Sequence, residues 1–189
     1  MSFTPGSCYN LLVESIHMHL SPLKQQHSFS VAGLAADLCT RFNVDPAKGR
    51  MAGLAHDLAR EMSRQDLIMY AGRDGREIND QELKRPVLLH GRAAAVLLRL
   101  KQGWTDLEFL QAVEDHVVGR PAMSKLSRII FVADYLEPNR SFLADEARRR
   151  LLAHDLDKML QMVLRGIFNY LRGEGIPIVR SALDLYKEL

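Results

Sequence analysis

Helix-start signals recur along almost the whole chain, and they constrain its fold more than any other feature. Ser21-Pro22 and Asp45-Pro46 each place a capping residue before a proline, which is favoured in the first turn of a helix. The segments 63–66 and 105–108 each match the capping box, in which an acidic residue follows a hydroxyl residue by three positions. These signals predict helices that begin at all four positions.

Other stretches of the chain are helical in pattern or end in helix-stop residues. They are residues 7–20, 86–103, 124–136 and 155–171, the last of which is closed by Gly173 and Gly175. Convincing strand alternation is missing, because residues 176–179 are few and include Pro177, although the apolar run 128–136 fits a buried helix or a strand. The sequence therefore predicts an all-α fold, with residues 72–85 as a surface loop that can contain a short turn of helix.

Composition bounds the kind of protein and its partners. The 189 residues suffice for one domain, and 25 basic against 23 acidic residues leave a net charge of only +2. So small an excess of positive charge does not favour binding to nucleic acid or to an anionic membrane, so we expect neither as a partner. An anionic substrate must then be met by a local cluster of cations.

Cysteine use and the N-terminus bear on the cellular compartment. Cys8 and Cys39 are the only cysteines, which excludes a disulfide framework and a cysteine-rich zinc module, and both are expected to be small buried thiols. The first residues lack the basic and apolar regions of a signal peptide, and no apolar run approaches a membrane span. These features predict a cytoplasmic protein.

Six potential metal ligands interrupt apolar or small-residue stretches. His56 and Asp57 lie within the run Gly53-Leu-Ala-His-Asp-Leu-Ala-Arg60, and the others are His27, His90, His116 and Asp134. A second His-Asp pair, His154-Asp155, is interpreted as a solvent-facing histidine followed by a helix N-cap. Any one of the six could be a core polar group bonded to the backbone, but burying all of them without compensation would be costly.

A bound divalent cation would provide that compensation. Imidazole with carboxylate and no thiolate suits iron, manganese or zinc better than calcium. On a helix, His56 and Asp57 would point about 100° apart, so that one could reach a first metal while the other bridges toward a second. Six ligands exceed what one catalytic metal with an open position needs, which favours two metals.

The order of these residues resembles a known family. His27, His56-Asp57 and Asp134 resemble the H…HD…D signature of HD-domain phosphohydrolases, and His90 and His116 resemble the added histidines of its two-metal members. The segments LLHGRAAA, HVVGRPAMSKLSRIIFVADYLEPNR and RGEGIPI are similar to the YqeK group of bacterial symmetrical diadenosine tetraphosphate hydrolases. The resemblance covers residues 24 to 180, approximately.

The resemblance implies a fold, an activity and a cofactor. It implies a single HD domain over residues 1–189, with the helix 7–20 packed on an HD core of about residues 21–180. It also implies a centre of two divalent ions, iron before manganese or zinc, and cleavage of diadenosine tetraphosphate into two ADP. Similar proteins form dimers, so a homodimer is a further expectation. The alternatives are hydrolysis of a nucleoside triphosphate, a guanosine alarmone or a cyclic dinucleotide, or a non-catalytic nucleotide-binding metalloprotein.

The resemblance also implies residue roles. The six ligands would hold the metals, Asp57 as the bridge, with His56 and Asp57 as the catalytic pair. The predicted substrate contacts are Lys24, Arg60, Arg120, Arg140 and Ile178. Arg60 and Arg140 could instead be solvated helix-end arginines, and Arg120 could cap a helix end. Lys24 departs from the family pattern, which commonly has arginine there, and a lysine cannot grip phosphate with a bidentate fork.

Overall fold

The computed structural model describes residues 5–189, with side chains described from residue 9 onward, and within this range every regular element is helical. The helices are α1 (Pro5–His19), α2 (Pro22–Arg41), α3 (Pro46–Ala55), α4 (Arg64–Ala71), α5 (Asp80–Lys84), α6 (His90–Gln102), α7 (Leu107–Asp115), α8 (Lys125–Leu136), α9 (Asp145–Leu152), α10 (Leu156–Gly173) and α11 (Arg180–Glu188). Short 3-10 turns occupy Gly72–Asp74 and Pro86–Leu89. The predicted all-α fold is confirmed.

Most predicted helix starts are present with the expected caps. Asp45, Ser63, Ser124 and Asp155 each accept hydrogen bonds from backbone N–H groups in the first turn of the helix that follows. His154 is exposed, as expected. These caps satisfy donors that have no partner within the helix, which fixes where each helix begins.

Three sequence expectations differ from the structure in detail. The Ser21 side chain does not cap α2, because its hydroxyl and its backbone N–H both donate to Glu61. Helix α7 begins later than predicted, since Asp106 rather than Thr105 caps it through the N–H of Phe109. The segment that starts at Pro86 is not one helix: a 3-10 turn precedes α6, whose first residue is His90.

Helix α8 lies at the centre of the core. It packs against α2, α3, α7 and α10, and its apolar residues Ile129, Ile130 and Val132 are fully buried. The apolar run that fitted a helix or a strand is therefore a buried helix. This placement carries Asp134, near the C-terminal end of α8, into the region where α2 and α3 meet it.

The N-terminal helix packs on this core. Leu12 and Ile16 of α1 are fully buried, and α1 contacts α2 and α3. Cys39 is buried as expected, and burial raises the pKa of its thiol to about 12, whereas the Cys8 side chain and residues 1–4 lie outside the described part of the chain. Among the described helices, none is both long and apolar enough to cross a membrane.

Candidate metal and substrate site

Five elements bring the six predicted ligands together at one place. His27 lies within α2, His90 begins α6, and Asp134 lies near the end of α8. His56 and His116 are the C-terminal caps of α3 and α7. The expectation that His56 and Asp57 sit on one continuous helix is wrong, because α3 ends at Ala55 and Asp57 lies in the turn that follows.

Three of the histidine rings are held in the same way. The Nδ1 atom of His56 lies 2.7 Å from the Gly53 carbonyl oxygen. The corresponding distances are 2.6 Å from His90 to Val87 and 2.7 Å from His116 to Val113, and each acceptor is three residues before its histidine. Because a carbonyl can only accept, Nδ1 carries the hydrogen in each ring, and the neutral ring presents the lone pair of Nε2.

The fourth ring is held by a buried glutamate. His27 Nδ1 lies 3.1 Å from Glu137 Oε1, and Glu137 is only 2% exposed. The other carboxylate oxygen of Glu137 accepts a 2.7 Å bond from the backbone N–H of Asn139. A carboxylate that orients a ligating histidine through its second nitrogen is a common outer partner in metal sites. Sequence reasoning did not single out Glu137, although it lies in the segment that carries the family resemblance.

The four Nε2 atoms face one another in two pairs. His27 and His56 approach to 3.2 Å between their Nε2 atoms, and His90 and His116 to 2.9 Å. With the hydrogens on Nδ1, neutral rings have no proton to share at these contacts, so lone pairs meet in a buried space. A divalent cation is the species that such a donor set stabilises.

Asp57 lies between the two pairs and offers one oxygen to each. Its Oδ2 is 3.7 Å from the Nε2 atoms of both His27 and His56, and its Oδ1 is 3.1 Å from that of His90 and 3.7 Å from that of His116. Asp134 adds an oxygen 3.0 Å from His27 Nε2. Two ligand groups, His27 with His56 and Asp134, and His56 with Asp57 and His116, each have donor atoms within 4.8 Å of one another. The residues present therefore fit a divalent metal site.

The protonation states favour metal ligation. Burial lowers the pKa of His56 to about 4 and also lowers the pKa of His90, so both rings are neutral near pH 7. Burial opposes ionisation of Asp134, but its ion pair with the Arg140 guanidinium favours the carboxylate and holds its pKa below the ordinary value. Neutral imidazole and ionised carboxylate are the forms that bind metal.

Cationic side chains line the cleft above the cluster. Lys24 Nζ lies 2.9 Å from Asp57 Oδ2, while Arg140 pairs with the Asp134 carboxylate and donates from Nε to its backbone oxygen at 3.1 Å. Arg60 and Arg85 also line this cleft, whose volume is about 250 Å³. Sequence reasoning missed Arg85. Its only signal is its place directly before Pro86, at the start of the segment that leads to His90.

The two remaining predicted substrate contacts are placed differently. Arg120 Nε donates to Asp115 Oδ1 at 2.8 Å, and the Asp115 carboxylate also accepts a bond from Ser127. The structure therefore places the Arg120 guanidinium at the C-terminal end of α7 and does not bring it to the cleft. Ile178 lines a cavity of about 150 Å³ that shares Arg85, Leu88 and Val117 with the cleft.

Imidazoles and carboxylates clustered beneath a cation-lined cleft on an all-helical fold are typical of metal-dependent enzymes that act on anionic substrates. The family model described as the HD domain matches residues 25–139. This chain belongs to the HD domain family.

Similar proteins align with most of this chain. A protein of Halalkalibacterium halodurans named "Bis(5'-nucleosyl)-tetraphosphatase, symmetrical" is 30% identical, with 94% of each chain covered. A Bacillus subtilis protein of the same name is 28% identical, over 92% of this chain and 93% of the relative. The crystal structure of a predicted HD superfamily hydrolase involved in NAD metabolism from Clostridium acetobutylicum has a TM-score of 0.90 and 30% identity, with 95% of each chain covered.

Proposed function

We propose that this protein hydrolyses diadenosine tetraphosphate and related dinucleoside polyphosphates symmetrically, giving two ADP. The observation that carries the proposal is the Asp57 carboxylate, which faces one histidine pair with each oxygen beneath a cleft lined by cations. Relatives with the same activity in their names cover nearly the whole chain, which supports this choice of substrate.

Two divalent cations are the cofactor in this proposal, with iron the first candidate and manganese or zinc the alternatives. His27, His56 and Asp134 would hold one ion, His90 and His116 the other, and Asp57 both. Such cations neutralise phosphate charge and lower the pKa of water, so that hydroxide is available at neutral pH. The donor set contains no thiolate, which supports these metals over softer ones.

The chain's own cations bind and orient the substrate. Lys24, Arg60 and Arg140 lie along the cleft, where they can contact successive phosphates and hold the central anhydride bond over the ligand cluster. Ile178, in the adjoining cavity, would contact a ribose or a base. Arg120 is left out of this proposal because Asp115 engages its guanidinium.

Product analysis tests the proposal. Metal-loaded protein is incubated with diadenosine tetraphosphate, and the products are separated by ion-exchange chromatography. ADP alone is expected, whereas AMP together with ATP would refute symmetrical cleavage. A parallel panel of a nucleoside triphosphate, a guanosine alarmone and a cyclic dinucleotide identifies the alternative substrates, and no turnover with any of them would indicate a non-catalytic metalloprotein.

One test variant and one matched control extend that assay. Asp57→Asn should lose bound metal and turnover together, because it removes the carboxylate shared by both histidine pairs. Asp155→Asn keeps a good capping side chain at the start of α10 and should retain both. Full turnover by Asp57→Asn would contradict the assignment.

The single HD domain, the homodimer and the cytoplasmic location stay predictions from the sequence.

A further inference from the structure

A large cavity adjoins the metal cleft on the side of α10. Its volume is about 590 Å³, and it shares Arg60, His116, Asp134 and Arg140 with the cleft. Its far wall is aromatic, formed by Tyr135 of α8, Phe142 of the loop after α8, and Tyr170 of α10. A ligand could therefore extend from the metal cluster into this cavity without leaving the protein surface.

Two of the three aromatic side chains of this wall are unusually exposed. Phe142 is 61% exposed and Tyr170 is 64% exposed, although both border a concave surface. The Phe142 ring meets the Tyr135 ring edge-on at 5.2 Å between centroids, and the Arg140 guanidinium lies 6.0 Å from the centre of the Phe142 ring. Large aromatic surfaces grouped in a cavity mark a binding site for a flat apolar group.

A glycine shapes the cavity. A Cβ atom on Gly166, in the middle of α10, would lie 2.5 Å from the hydroxyl oxygen of Tyr135 and 3.3 Å from the carbon that bears it. Glycine destabilises a helix interior relative to alanine, so its presence here needs a compensating reason. The close approach supplies one, because only glycine lets the Tyr135 ring lie against α10 and leave the cavity open.

We propose that this cavity binds one nucleobase of the substrate, stacked on the aromatic wall, and that Gly166 and Tyr135 set its shape. A nucleotide joins a flat ring to an anionic chain, which matches an aromatic wall bordered by Arg60 and Arg140. Base stacking on aromatic side chains tolerates any base, so the site selects for a nucleoside rather than for adenine. The inference rests on the proposed function for the identity of the full substrate.

Binding measurements with two ligands isolate the base from the phosphates. Manganese-loaded protein is titrated calorimetrically with ADP and with inorganic pyrophosphate. Tyr170→Ala and Phe142→Ala should each weaken ADP binding by about 5- to 100-fold, as expected for a lost stacking contact. Pyrophosphate affinity should change less than twofold. Both side chains are exposed, so these variants should fold normally, which far-ultraviolet circular dichroism checks.

Gly166→Ala tests the shape of the cavity, with Gly173→Ala as its control. An added Cβ at Gly173, the last residue of the same helix, meets nothing within 4 Å. Gly166→Ala should weaken ADP binding severalfold while pyrophosphate binding is kept, and Gly173→Ala should change neither. Adding Tyr135→Phe to Gly166→Ala removes the oxygen in closest conflict and should restore part of the ADP affinity.

Two results would overturn the inference. One is equal weakening of ADP and pyrophosphate, and the other is unchanged ADP affinity in both Tyr170→Ala and Phe142→Ala. If diadenosine tetraphosphate is not hydrolysed but the variants lose ADP selectively, the base site stands and the proposed function fails. If hydrolysis is symmetrical but neither Tyr170→Ala nor Phe142→Ala changes the affinity for ADP, this inference alone fails.

Discussion

Glu137 is the residue on which the orientation of His27 depends. It is buried, and it accepts hydrogen bonds from His27 Nδ1 and from the N–H of Asn139. Glu137→Gln should lower metal affinity about 10- to 100-fold, because the amide can present its NH₂ group to His27 and destabilise the ring tautomer. Competition with a fluorescent metal indicator measures this affinity.

The matched control for Glu137→Gln is Glu82→Gln. Glu82 also bonds to a neighbouring side chain and to backbone groups, but it belongs to the network of Arg92 and the cap of α5. Its replacement should leave metal affinity unchanged. An equal loss of metal in both variants would mean that general destabilisation, and not ring orientation, explains the effect.

Lys24 is the residue where the chain departs from the pattern it resembles. Its ammonium lies 2.9 Å from Asp57 Oδ2, at the cleft. Lys24→Arg should lower KM for the tetraphosphate about 2- to 10-fold, because the planar fork of arginine can add one hydrogen bond to phosphate. Steady-state kinetics measure the change, with kcat expected to stay within twofold. A raised KM would indicate that arginine does not fit beside Asp57.

For individual residues, the sequence indicated the candidate ligands but not all of the groups that hold them in place. A histidine or aspartate inside an apolar run is visible in the sequence, and the structure brings all six together. Glu137 is 110 positions from His27, and nothing local marks the pair. Arg120 was predicted at the substrate, but its partner Asp115 becomes its neighbour only through the turn after α7.

Helices α2 and α3 approach closely where they carry His27 and His56. A Cβ on Gly53 would lie 2.7 Å from the Ala32 Cα and 2.9 Å from the Ala32 nitrogen, which are backbone atoms that cannot move aside cheaply. The Gly53 carbonyl also accepts the Nδ1 bond of His56. The glycine therefore sets both the spacing of the two helices and the orientation of one ring.

Gly53→Ala should destabilise the protein by about 1–3 kcal/mol and reduce metal content, since the helices must separate to admit the methyl group. Urea denaturation measures the free energy of unfolding, and elemental analysis measures the metal. Gly33→Ala is the control, because a Cβ there meets nothing within 4 Å and alanine favours the helix. Equal stability of the two variants would refute the close-packing argument.

Among the helices, a side-chain cap explains several predicted starts but not all of them: α2 was predicted without such a cap, and α5 lies in the predicted loop 72–85 although Asn79 caps it. Asp45, Ser63, Ser124 and Asp155 mark their helices because a local oxygen satisfies the first N–H groups. Helices α9 and α11 were not predicted, and neither Ala144 nor Val179 at their starts makes a side-chain cap. Their positions depend on packing against the rest of the chain.

Across the whole molecule, the proposed metal ligands connect elements that are distant in sequence. They come from α2, the end of α3 and the turn after it, α6, α7 and α8. A cation bound only by the folded protein stabilises it by about 2.7 kcal/mol at a hundred times its Kd, so two such cations contribute about 5 kcal/mol. Complete chelation should therefore lower Tm by about 10 to 20 °C, as measured by differential scanning calorimetry.

Adding metal back provides the control for the chelation experiment. Manganese or iron should restore the original Tm, whereas calcium should not, because calcium requires an all-oxygen ligand set. An unchanged Tm after verified metal loss would show that the ligands are positioned by the protein core alone. The sequence could not predict how far the core and how far the metal fix the ligand positions, because helix spacing depends on contacts such as that of Gly53 with Ala32.

The unequal support of the four rings bears on how such a site can change over evolutionary time. His56, His90 and His116 are fixed by main-chain carbonyls, which every amino acid supplies, so point mutations of the acceptor residues keep the acceptor oxygen, and only at Gly53 does the close approach of α2 restrict them. His27 is fixed by a carboxylate that a single nucleotide change can remove. Lineages adapting to scarce or abundant metal would therefore retune affinity most readily through the His27 side of the centre.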